Sequence, residues 1–165
     1  KKSNEIVFVD RKRKRQVVSP PPLPGIVRAT SLKILGVTMT NGLTASDHVR
    51  GIISSCAQTL YALRVLRAHG MCDSALQDIY RSIVVAKLLY ASSAWSGFIT
   101  ATDRQRVDAF LDRSNRYGYC PLDLPSFEEL LSDSDQQLFD KILTNDQHLS
   151  YKLPPMICLA NFLRK

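Results

Sequence analysis

From Ser46 to His69, apolar residues fall at Val49, Ile52, Ile53, Cys56, Leu60, Leu63 and Leu66, with Gly70 just beyond. That three-and-four spacing puts them on one side of a helix, and the glycine marks its end. A second helical run opens at Asp73 or Ser74 and carries Leu76, Ile79, Ile83, Leu88 and Trp95, with Val84, Val85 and Ala91 widening the apolar face. A third starts near Thr102-Asp103, presents Val107, Phe110 and Leu111, and stops by Gly118, its other face basic through Arg104, Arg106, Arg113 and Arg116. Ser126-Phe127-Glu128-Glu129 reads as a capping box for a last helix with Leu138, Phe139, Ile142 and Leu143, ending near Asn145. The short link Gly70–Cys72 predicts that the first two helices pack antiparallel through Leu60, Leu63, Ile79 and Ile83.

The front of the chain alternates differently. Glu5–Val9 and Lys33–Met39 are β-branched and apolar enough for strands, a third short strand is expected at Val27–Thr30, and Asn41-Gly42 supplies a turn. Between the first two lie Arg11-Lys12-Arg13-Lys14-Arg15 and the proline-rich stretch Ser19–Gly25, which read as loop: like charges repel and proline donates no ladder hydrogen bond. The fold class is therefore α+β, mostly α.

Charge is distributed unevenly. The net +7 comes from nine basic and two acidic residues in 1–33 and nine and six in 34–116, against four and seven in 117–165. An anionic partner, if any, faces the front half. With 45% apolar and 22% charged residues and no apolar run long enough for a membrane helix, the 165 residues fit one globular domain or a piece of a larger one. Cys56, Cys72, Cys120 and Cys158 form no C-x-x-C pair and no leader precedes them. An intracellular protein with reduced thiols, cytoplasmic or nuclear and not secreted, is expected. The chain opens Lys-Lys-Ser without Met, which reads as the interior of an open reading frame.

Candidate chemistry is sparse. His48, His69 and His148 are scattered, and neither nucleophile elbow, zinc helix, Walker sequence nor dinucleotide fingerprint occurs. His69 and Cys72 straddle a helix end without a second pair. Asp133 and Asp135 are expected to complement a helix start, and Asp103, Asp108 and Asp112 to form a solvated face paired with neighbouring arginines. Tyr61, Tyr80 and Tyr90 sit in helical registers, more often core or rim than stacking platforms. Arg11–Arg15 is open to three readings: phosphate contact, nuclear-import signal or soluble loop.

The order of segments resembles the reverse transcriptases of LINE-like non-LTR retrotransposons, in the portion after the catalytic aspartates. Lys2-Ser3-Asn4-Glu5-Ile6-Val7-Phe8 is similar to that family's palm-closing strand, and Lys33-Ile34-Leu35-Gly36-Val37 to its primer-grip hairpin. Asp47-His48-Val49, Cys56–Gly70, Tyr80–Trp95 and Asp103–Arg113 resemble its thumb helices in sequence order. The resemblance implies short antiparallel palm-edge strands in 1–42, an antiparallel helical thumb in 43–118 and the start of an acidic helical connector in 119–165.

It further implies nucleic-acid contacts at Lys2, at Lys33, Leu35 and Gly36 of the primer grip, and at Arg50, Arg64, Arg67 and Arg81 of the thumb. The partner would be an RNA/DNA template–primer held by its phosphates, without a membrane. The family's Tyr-x-Asp-Asp motif holds magnesium for phosphoryl transfer, and no Asp-Asp pair occurs in these 165 residues. The expectation is thus no catalytic residue, no metal and no cofactor in this chain. Magnesium, fingers and most of the palm would belong to the missing N-terminal part, and the chain would be inactive alone. Two non-catalytic alternatives stand beside this: a basic nucleic-acid-binding remnant, and a protein–protein adaptor using Leu138, Phe139 and Ile142.

Overall fold

The computed structural model describes residues 3–9, 20–121, 123–145 and 147. Lys2, Arg11–Arg15, His148 and Cys158 lie outside them. Four short strands precede the helices: β1 (Asn4–Glu5), β2 (Val27–Arg28), β3 (Ser31–Ile34) and β4 (Val37–Thr40). β3 and β4 form an antiparallel hairpin with Ile34 opposite Val37. Lys33–Met39, expected as one strand, therefore turns back on itself. Leu35 and Gly36 both have positive φ, 47° and 89°, the requirement of a two-residue turn that matches strand twist.

β1 pairs with β2 in parallel, Asn4 beside Val27 and Glu5 beside Arg28, which corrects the expected all-antiparallel edge. The long connection from Glu5 to Val27 allows the chain to cross over and re-enter in the same direction. Arg28 donates to Glu5 at 2.8 Å and locks the pair. β1 is also shorter than the expected strand, because Val9 turns away to donate to the Asn41 carbonyl instead of extending the ladder.

The helical part begins with α1 (Ser46–Ala68), whose buried side chains are His48, Val49, Ile52, Cys56 and Leu63. Ile53, Leu60 and Leu66 pack partly buried beside them. Gly70, at φ 88°, reverses the chain into α2 (Asp73–Ile79). That helix continues through a π segment, Tyr80–Val85, into α3 (Ala86–Leu89). α1 and this second run are antiparallel: Arg67 pairs with Asp73 at one end and Lys87 donates to Ser55 further along.

The π segment decides which residues meet α1. Leu76, Tyr80, Val84 and Leu88 are all buried, a strict four-residue repeat. At 3.6 residues per turn, that repeat would drift about 40° round the helix at each step. The wider turn, in which the Ala86 N–H reaches back to the Arg81 carbonyl, absorbs the drift. As a result Ile83, expected in the core, is 42% exposed.

The second helix is also not continuous to Trp95. It breaks at Tyr90-Ala91, with Ala91 left-handed at φ 50°, and resumes as α4 (Ser92–Trp95) followed by a 3₁₀ turn, Ser96–Phe98. The Trp95 indole, fully buried, donates to the Tyr90 carbonyl at 3.0 Å and so satisfies the acceptor the break would leave orphaned.

α5 (Ala101–Arg116) and α6 (Phe127–Thr144) both start with complete capping boxes, Thr100 with Asp103 and Ser126 with Glu129. α5 runs parallel to α1: Ser46 donates to Asp103 at 2.6 Å near their starts, and Arg67 donates to the Tyr117 and Gly118 carbonyls near their ends. Asp103 is thus only 2% exposed, not part of a solvated face. Asp133 and Asp135 lie in the middle of α6, where Ser93 donates to Asp135 and Ser92 shares a hydrogen bond with Ser134. Phe127, Leu130 and Leu131 anchor α6 in the core, while Leu138 and Leu143 remain exposed. Among the described residues no helix is long and apolar enough to cross a membrane.

Candidate nucleic-acid interface

The turn of the β3–β4 hairpin rests on the helix break. Tyr90 Oη donates to the Leu35 carbonyl at 3.2 Å, and the Tyr90 ring lies 3.2 Å from where a Cβ on Gly36 would sit. Only glycine leaves room for that ring, and only glycine adopts its φ without strain. Beneath the hairpin, the first half of α1, the π segment and α3 enclose an open cleft of about 650 Å³.

Two lysines face this cleft, Lys33 from the hairpin and Lys87 from α3. Lys87 is steered by its 2.8 Å hydrogen bond to Ser55 Oγ, which leaves two ammonium donors for a ligand. His48 closes the inner wall, its ring edge-on to Trp95 at 5.2 Å between centroids and its Nε2 shut from water without a hydrogen-bond partner. Burial, reinforced by the charge of Lys33, pulls the His48 pKa below its ordinary 6.5, so the imidazole is neutral near neutral pH. Burial likewise pushes the Cys56 thiol behind this wall up to about 11 against the opposing charge of Lys87. Asp47 at the rim is paired with Arg50 at 2.9 Å.

The two ammonium groups give the cleft a positive charge. Among the described residues there is no group of three His, Cys, Asp or Glu side chains able to hold a metal.

Of the residues expected to contact nucleic acid, Lys33 and Gly36 line the cleft, and Leu35 contributes its carbonyl to the Tyr90 contact while its side chain is 86% exposed. Lys2 lies outside the described residues. The four arginines do not join them. Arg50 lines a separate groove, and Arg64 stands exposed on α1. Arg81 is paired with Asp123 at 3.1 Å. Arg67 is committed to structure, bonded to two carbonyls at the end of α5, paired with Asp73 and stacked 4.2 Å over the Tyr119 ring.

Lys87, Tyr90 and His48 were not anticipated as site residues. Lys87 is a charged residue inside an otherwise apolar run, which is the one local signal that something other than core packing is served there.

The chain is similar to a probable RNA-directed DNA polymerase from transposon BS of Drosophila melanogaster, 26% identical over 165 aligned positions. The match covers 90% of this chain and 18% of that protein, so the chain spans under a fifth of the relative's length. No family model and no solved structure matches. The likeness, extending over nearly the whole chain, supports an origin related to reverse transcriptase.

Proposed function

We propose that the chain is the primer-grip and thumb portion of a LINE-like retroelement reverse transcriptase. It positions template–primer by its phosphates and does not polymerise on its own. What carries the reading is the cleft in which Lys33, from the hairpin that resembles a primer grip, faces Lys87 from the thumb-like helices. The hairpin is held against those helices through Tyr90 and Leu35. Lysine ammonium groups on opposite walls suit a sugar–phosphate backbone and read no bases. The absence of any Asp-Asp pair leaves magnesium binding and phosphoryl transfer to the palm of the longer protein.

The test is fluorescence anisotropy of the full chain with a labelled RNA–DNA hybrid across a salt series. Lys33→Gln with Lys87→Gln is expected to lower affinity at every sequence alike and to flatten the log–log salt slope by about two, one for each phosphate that is no longer neutralised. Unchanged affinity and slope in the double variant would sink the assignment. Template-dependent dNTP incorporation by the pure chain with magnesium would show that it carries an active centre after all.

A further inference from the structure

A second groove, of about 510 Å³, runs between α1 and α5. Arg50, Arg106 and Arg113 surround it, over a floor of Ile53, Ala109 and Phe110. It lies on the far side of α1 from the lysine cleft. The cleft takes His48, Ile52 and Ser55 and the groove takes Arg50 and Ile53, positions roughly half a turn apart around the helix.

Arg106 and Arg113 are seven residues apart on α5, so they project from one face about 10 Å apart along its axis. The small Ala109 between them leaves the groove open. On α1, Arg64 follows Arg50 by fourteen residues, nearly four turns, and so falls on the same side. Tyr61 stands between these two arginines and is 70% exposed, against the expectation of core or rim. Because α1 and α5 run parallel, both rows of arginines advance together.

Three of the four guanidiniums are available. Arg64 and Arg113 have no carboxylate partner among the described residues. Arg50 and Arg106 each make one ion pair, to Asp47 and Asp103, while their own side chains are 69% and 54% exposed. The Arg50–Asp47 pair, exposed on both sides, is weak and exchanges readily for a phosphate, which a planar fork grips through two donors, whereas Arg106 stays with the buried Asp103. An exposed aromatic interleaved with arginines is the arrangement that binds unpaired bases by stacking.

We propose that the α1–α5 groove is a second polynucleotide track, which takes the sugar–phosphate backbone of a single strand and stacks a base on Tyr61. It stands independently of the reading given to the lysine cleft.

The experiment is anisotropy of the full chain with labelled oligouridylate of about eight nucleotides, within the span of ordinary single-strand sites. Arg64→Gln with Arg113→Gln removes no intramolecular partner, so folding is undisturbed. It is expected to weaken binding about tenfold and to flatten the salt slope by about 1.4, the share of two single-strand phosphates. Arg64→Lys with Arg113→Lys should keep the slope, and Tyr61→Ala should weaken binding without changing it. The hybrid-duplex affinity assigned to Lys33 and Lys87 should be the same in all three.

The track is overturned if the glutamine variant binds like the parent, or if the parent binds no oligouridylate. It is equally overturned if only the Lys33/Lys87 variant loses oligouridylate, which would mean one shared site. Displacement by an acidic peptide at equal charge concentration would make the groove a protein-docking surface instead.

Discussion

Asp103 joins two helix starts, and removing its carboxylate should cost more than any other surface-remote change of similar size. In Asp103→Ala the Ser46 hydroxyl loses its acceptor at 2.6 Å, and the Thr100 hydroxyl and N–H lose theirs at 2.7 and 3.1 Å. A capping interaction contributes about 1 kcal/mol and a hydrogen bond to a buried charged acceptor about 2, so the loss sums to about 3 kcal/mol. With a urea slope of about 2 kcal/mol per M, the unfolding midpoint falls by about 1.5 M. Asp103→Asn keeps one acceptor oxygen and should lose about half as much.

Acid supplies a second check. Burial pushes the Asp103 carboxyl up, but the bonds from Ser46 and Thr100 and the charge of Arg106 outweigh it and hold the pKa below its ordinary 3.8. A carboxyl whose folded pKa is depressed stabilises the fold fully above 3.8 and loses that contribution as pH falls through the lower folded value. The gap between parent and Asp103→Ala in urea should therefore be constant at neutral pH and narrow only below about pH 4. A midpoint shift under about 0.3 M at neutral pH would refute the account, because it would mean the two helix starts are held without this carboxylate.

Three further outcomes are expected. Gly36→Ala should lower stability by about 1 to 2 kcal/mol in a thermal melt, from positive φ and the crowding against Tyr90, and adding Tyr90→Ala should relieve the crowding alone. Val84→Ala should cost about 2 kcal/mol and Ile83→Ala under about 1, an order that an unbroken α-helical register would reverse. In peptide mapping after brief alkylation, Cys72 should react before Cys56 and Cys120. It is exposed and the Ser74 hydroxyl favours its thiolate, whereas burial raises the other two.

Features written in neighbouring residues were legible from the sequence. The Ser126–Glu129 box starts α6 as expected, and Val107, Phe110 and Leu111 face the core, because caps and helical periodicity act over a few positions. The first helix ends at Ala68, one residue before the expected His69, for the same reason. What escaped depends on contacts distant in sequence. The break at Ala91 is held by Trp95 and by serines bonded to α6, and the burial of Asp103 by Ser46.

Within the site, Lys33 and Gly36 were reached through a family resemblance. Lys87 and Tyr90 were not, because they sit beyond the π segment, whose changed register cannot be seen in a three-and-four count. The thumb arginines were reached through the same resemblance, and the fold disperses them: Arg50 lines the α1–α5 groove, Arg67 binds the end of α5 and Arg81 pairs with Asp123.

The widened turn at Tyr80–Val85 also bears on how this chain tolerates changes of length. A π turn holds one residue more than an α turn while the helix on either side keeps its direction. Deleting a single residue from Tyr80–Val85 would let the segment relax to an ordinary α-helix, with α2 and α3 each keeping its own contacts to α1. Elsewhere in these helices, the same deletion would rotate everything downstream by about 100° and turn the core stripe to solvent. Single-residue gaps among related chains should therefore collect at this turn, and an alignment that forbids a gap there would misplace Lys87 and Tyr90.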